Sequence, residues 1–170
     1  MDRARQMTLP TLDAAGLRIP IAPEWTLDES RASSMRLATY KVKADDDAGE
    51  APEVVFFYFG PGQGGDAEQN FLRWSRLVTG ADGKPTEPAL ETINVGALRI
   101  TVGSFTGRYL AGSPTGPRTQ RDNWALVGAV IEGGPQGSVF ARLTGPKKAA
   151  LAQRDVLVAA LRSITIANGS

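Results

Sequence analysis

The sequence predicts an α+β domain: a twisted antiparallel sheet of about six strands flanked by two main helices, an α/β/α sandwich. Three observations predict it. Six segments alternate with a period near two, two segments repeat apolar residues at helical spacing, and glycine-rich turns join neighbouring strands. The strands are expected at 35–43, 52–60, 90–95, 97–104, 124–132 and 138–144, with 17–21 as a further edge strand. Asn94-Val95-Gly96 and Glu132-Gly133-Gly134-Pro135-Gln136-Gly137 are hairpin signals, which favour antiparallel neighbours over parallel crossovers.

The first helix follows the turn Gly60-Pro61-Gly62-Gln63-Gly64-Gly65. Asp66 is a good N-cap and Gln69, three residues on, completes a capping box. Phe71, Trp74, Leu77 and Val78 then trace one buried face, and the helix is expected to end near Gly80. The second helix is expected to open at Gly145-Pro146, with Thr144 as cap and Pro146 in the first helical position, where a missing N–H costs nothing. Ala150, Leu151, Arg154, Leu157, Val158 and Leu161 form its sheet-facing stripe. Segments 44–50 and 111–122 are expected to be exposed, mobile loops, and residues 1–16 an extended N-terminal arm on a single domain spanning 1–170.

At 170 residues the chain is about one domain long and buries roughly 70% of its unfolded surface. With 42% hydrophobic and 22% charged residues, neither disorder nor an extended coiled coil is the natural reading. A net charge of +1 supplies no long-range field, so nucleic acid is not expected as a partner. No run of apolar residues is long enough to span a membrane, and Met1 to Gln6 lacks the apolar core of a secretory leader. The expected location is cytoplasmic if Met1 is the true start.

Composition also prunes the chemistry. Without cysteine there are no disulfides, thiolate nucleophiles or thiolate metal sites. Without histidine, the usual base near neutral pH and the commonest transition-metal ligand are missing. An enzyme here would need carboxylates, Lys, Tyr, Ser or an oxygen-bound metal. The carboxylates Glu53, Asp66, Glu68, Glu91 and Glu132 stand in different elements at no paired spacing, and Ser75 and Ser104 have no Lys at a motif spacing. The expectation is a non-catalytic domain with no cofactor and no metal site.

Three features are candidates for function. The glycine loop between strand and helix superficially suits a phosphate, but it has no Gly-Lys-Ser or Gly-Lys-Thr, and Asp66 claims the helix N–H groups; a tight turn explains it. Asp45-Asp46-Asp47 with Glu50 could gather oxygens for calcium but lacks the EF-hand pattern and reads as a solvated loop. The third is a patch of Arg and aromatic residues: Asn70, Arg73 and Trp74 one turn apart on the first helix, Gln63 in the loop before it, and Arg36, Tyr40 and Tyr58 on strands that could run nearby. Such residues are enriched at interface hot spots and in small-ligand pockets. A purely structural account puts Trp74 in the core, has Asn70 brace the loop and pairs Arg73 with a carboxylate.

Ser34-Met35-Arg36-Leu37-Ala38-Thr39-Tyr40, Phe59 to Gly65 with Asn70 and Arg73-Trp74, and Phe140 to Pro146 together resemble a bacterial family of uncharacterised proteins, often secreted or lipid-anchored in the cell envelope. The order of elements also resembles the Mog1/PsbP-type fold of accessory proteins that bind other proteins. The resemblance implies a non-catalytic accessory or protein-interaction domain, periplasmic or envelope-associated, with another protein as partner. The alternative is a small-molecule-binding protein with an Arg/aromatic pocket. The binding residues expected are Arg36, Tyr58, Gln63, Asn70, Arg73 and Trp74.

Overall fold

In a computed structural model of the chain, which describes residues 10–29, 36–42, 51–112 and 118–166, strand dominates. Eleven strands and two helices follow one another among the described residues: β1 (Thr11–Ala14), β2 (Leu17–Pro20), β3 (Trp25–Leu27), β4 (Arg36–Val42), β5 (Glu53–Phe57), α1 (Ala67–Ser75), β6 (Val78–Thr79), β7 (Ala89–Val95), β8 (Leu98–Gly112), β9 (Arg118–Glu132), β10 (Val139–Pro146), α2 (Lys147–Arg162) and β11 (Thr165–Ile166). The main sheet has eight antiparallel strands in the order β3-β4-β5-β10-β9-β8-β6, with β7 also on β8, and β1-β2-β11 form a small second sheet. This corrects the expected six-stranded sheet flanked by two main helices.

The extra strands have physical causes. Ala15 and Gly16 both take positive φ (51° and 88°), the geometry of a two-residue hairpin, so Thr11–Ala14 pairs with Leu17–Pro20 where an arm was expected. The expected loop at 111–122 is largely zipped up. Strands β8 and β9 continue their pairing past a bulge at Gly107/Tyr109 to Gly112 and Arg118. The stacked rings of Tyr109 and Trp124, 5.6 Å apart, and an Arg108–Asp122 ion pair of 2.6 Å hold this extension. The other expected loop, 44–50, lies outside the described residues.

Helix α1 has the predicted capping box: Asp66 Oδ1 accepts from the Gln69 N–H (2.8 Å) and the Asp66 N–H donates to Gln69 Oε1 (3.1 Å). It stops at Ser75, short of Gly80, because Val78 leaves the helical path to pair with Tyr109. Helix α2 starts at Lys147 with no side-chain cap; Thr144 is a buried strand residue opposite Leu126, and β10 runs straight into the helix through Pro146.

Residues opposite one another in antiparallel strands share a face, so register assigns every side chain. One row across the sheet is Thr39, Val55, Arg142, Gly128 and Gly103; the next is Arg36, Phe57, Phe140, Val130 and Thr101. Helix α1 packs on this face, with Phe71 over Gly103 and Trp74 over Gly128, in an aromatic cluster with Phe105 and Phe140. The opposite face, with Tyr40, Phe56, Val102, Val127 and Leu143, carries the larger core under α2 and the β1–β2 hairpin. No helix among the described residues is long and apolar enough to cross a membrane.

Candidate functional site

Beside the α1–sheet contact lies a groove of about 800 Å³, walled by the glycine loop and α1 and floored by β5 and β10. The local sequence builds its rim. Gly60, Gly62, Gly64 and Gly65 all have positive φ, and a Cβ on Gly64 would sit 2.6 Å from the Phe140 ring and 2.8 Å from Phe59. Only glycine lets the loop lie this close to the aromatic floor. Asn70, buried in α1, then ties the loop down: its Nδ2 donates to Gly64 O (2.9 Å) and to Asp66 O (2.8 Å). Its Oδ1 accepts from Arg73 Nη2.

Four of the six expected binding residues, Gln63, Asn70, Arg73 and Trp74, line this groove. Trp74 is both core and wall, being almost wholly buried over Gly128. Arg36 stands at the edge: its guanidinium carbon is 5.8 Å from the Phe57 ring centroid. Tyr58 is elsewhere. Strand alternation turns it onto the α2 face, where its hydroxyl donates to Gln136 O at 2.5 Å and fastens the end of β5 to the turn before β10. Tyr40 lies on that same buried face, between Trp25 and Phe56, and burial pushes its hydroxyl above the ordinary tyrosine pKa.

The structure adds residues that sequence reading passed over. Phe57 and Phe59 stack nearly parallel (11°, 6.0 Å between centroids), and Phe140 faces Phe59 at 5.5 Å. Arg142 lines the groove with its guanidinium 5.3 Å from the Phe57 ring, diagonal to it across β5–β10. A lone arginine inside the apolar run Val139 to Leu143 of a central strand was the available signal. Neither Arg73 nor Arg142 meets a carboxylate among the described residues, so the expected acidic partner for Arg73 is not found there.

Among the described residues, the groove is lined by aromatic rings, Gln, Asn, Gly and Arg, and by no carboxylate, Lys, Ser, Thr or Tyr. Of the five carboxylates considered for acid–base work, three are engaged on separate elements: Glu53 with Lys41 (3.6 Å), Asp66 in the cap, and Glu91 with Arg154 (2.6 Å) and Arg162 (3.4 Å). Among the described residues no group of three metal-ligating side chains converges. The run Asp45-Asp46-Asp47 lies outside them. The chain matches no family model and no curated protein sequence.

Proposed function

We propose that this domain is a non-catalytic binding protein that takes a small molecule into the groove between the glycine loop, α1, β5 and β10. The observation that carries the reading is the concave, aromatic-floored cavity of about 800 Å³ with converging polar side chains, within the size range of small-ligand sites. The rim is pre-organised by the Asn70 bonds and the capping box, so little ordering entropy opposes binding.

The test is a thermal-shift screen of metabolite collections, repeated on Gln63→Trp. Gln63 is exposed at the groove wall, so a larger ring there narrows the cavity without removing a core contact. Compounds that raise the melting temperature of wild type and not of Q63W support the groove. Compounds that stabilise both equally move the ligand elsewhere and overturn the reading.

A second reading is favoured by Leu72, which is 58% exposed on α1 beside Arg73. In it the domain is an accessory module of the bacterial cell envelope that docks on another protein, as the family resemblance implies. A membrane-fraction protein captured by wild type and lost by Arg73→Ala supports this reading over the first.

A further inference from the structure

We infer that the ligand is an aromatic carboxylic acid held as its anion, a deepening that rests on the groove being a binding site. The charge pattern points there. Arg73 and Arg142 both line the groove, no acidic residue among the described ones does, and the groups that position them are neutral: Asn70 Oδ1 for Arg73 and the Phe57 ring for Arg142. The two cations are therefore left uncompensated at a partly enclosed site, where an anion gains more than in open water.

The kind of anion follows from what the site withholds. A phosphate would use the helix N-terminus and glycine-loop N–H groups, but Asp66 already occupies the α1 N-cap with its own carboxylate. No lysine among the described residues lines the groove. A guanidinium, however, presents a planar fork that matches a carboxylate bidentately. The rest of the ligand meets Phe57, Phe59, Phe140 and Trp74, whose rings favour an offset-stacked or edge-on aromatic partner. The assignment is to a free small acid, because the cavity volume suits one.

Isothermal titration with naphthoate and its neutral isostere naphthamide tests this, with inorganic phosphate and a short peptide ending in Phe as further probes. Naphthoate is expected to bind at least about tenfold more tightly than naphthamide, the size of a charge-assisted bond. Arg142→Gln and Arg73→Gln are each expected to weaken naphthoate about tenfold and leave naphthamide unchanged, while Arg108→Gln, outside the groove, changes neither. Equal binding of naphthoate and naphthamide, both lost in Q63W, overturns the carboxylate and leaves the groove standing. Phosphate binding more tightly than naphthoate overturns it in favour of an inorganic anion. Tighter binding of the peptide overturns the free acid in favour of a chain terminus. Failure of naphthoate to bind while Q63W abolishes the shift of some other compound likewise removes the acid and keeps the groove; failure to find any Q63W-sensitive compound removes both.

Discussion

Gly128→Ala adds one methyl group to the middle of the sheet and should cost far more than its size suggests. A Cβ at Gly128 would lie 2.3 Å from two carbons of the Trp74 ring, whereas ordinary contact begins at 3.4 Å, so the ring must retreat by roughly 1.1 Å (3.4 less 2.3). Strand β9 cannot give way, being paired with β8 on one side and β10 on the other. The ring cannot slide toward Phe71, which meets it edge-on at 5.3 Å and is itself seated on Gly103, where a Cβ would fall 2.6 Å from its ring. Helix α1 must lift, and overpacking of this kind costs about 2–3 kcal/mol, or roughly 5–10 °C in melting temperature for a domain of this length. Trp74→Ala alone should cost about 3–5 kcal/mol by leaving a cavity. In that background Gly128→Ala should cost nothing or stabilise slightly, because the new methyl group enters the cavity and Gly128 has no positive φ to forfeit. Equilibrium urea unfolding of the four proteins, followed by circular dichroism, yields a coupling of about 2–3 kcal/mol if the reasoning holds. An equal cost of Gly128→Ala in both backgrounds refutes it.

Asn70→Leu keeps the volume and removes both donors from the Gly64 and Asp66 carbonyls, so unfolding should become easier by about 2–3 kcal/mol, and limited proteolysis should cut first in the 60–65 loop. Tyr40 supplies a pH test. Its folded pKa is raised by burial, so the folded state holds the proton more tightly than the unfolded chain; its contribution is complete below the unfolded value near pH 10 and is lost as pH rises through the folded one. Stability measured at increasing alkaline pH should therefore fall less steeply in Tyr40→Phe than in wild type, and identical slopes would exclude this origin. Arg154→Ala should cost about 1 kcal/mol by freeing Ser104 from α2 and leaving Glu91 only its longer 3.4 Å pairing with Arg162, and amide exchange should accelerate in β7, the strand that Glu91 anchors; unchanged exchange there would dissociate the Arg154–Glu91 ion pair from the edge.

Half of the first helix was legible and half was not. Asp66 and Gln69 declare its start through chemistry confined to one turn, and the structure has that box. Its end was obscured because Leu77 and Val78 fit helical spacing, while the pairing of Val78 with Tyr109 depends on a strand distant in sequence. The 111–122 segment misleads for a related reason. Its polar residues show no buried alternation, yet the register of the β8–β9 hairpin extends pairing to Gly112 and Arg118 regardless of side-chain hydrophobicity. The site divides in the same way. Gln63, Asn70, Arg73 and Trp74 lie within one loop–helix unit and were readable together, whereas Arg142 and Phe140 join them only through the pairing of β10 with β5.

Composition and local pattern by themselves determined the mixed α and β content, the glycine loop with its capped helix, the absence of cysteine and histidine chemistry, and most of one wall of the groove. Tertiary structure alone decided the number of strands, the partition of Tyr58 from Phe57 and Phe59 onto opposite faces, and the convergence of Arg142 with Arg73. The physical reason is parity. A strand's alternation is readable from its sequence, but which of its two faces meets α1 is settled only by register with strands that are distant along the chain, and a shift of one residue would reverse every assignment.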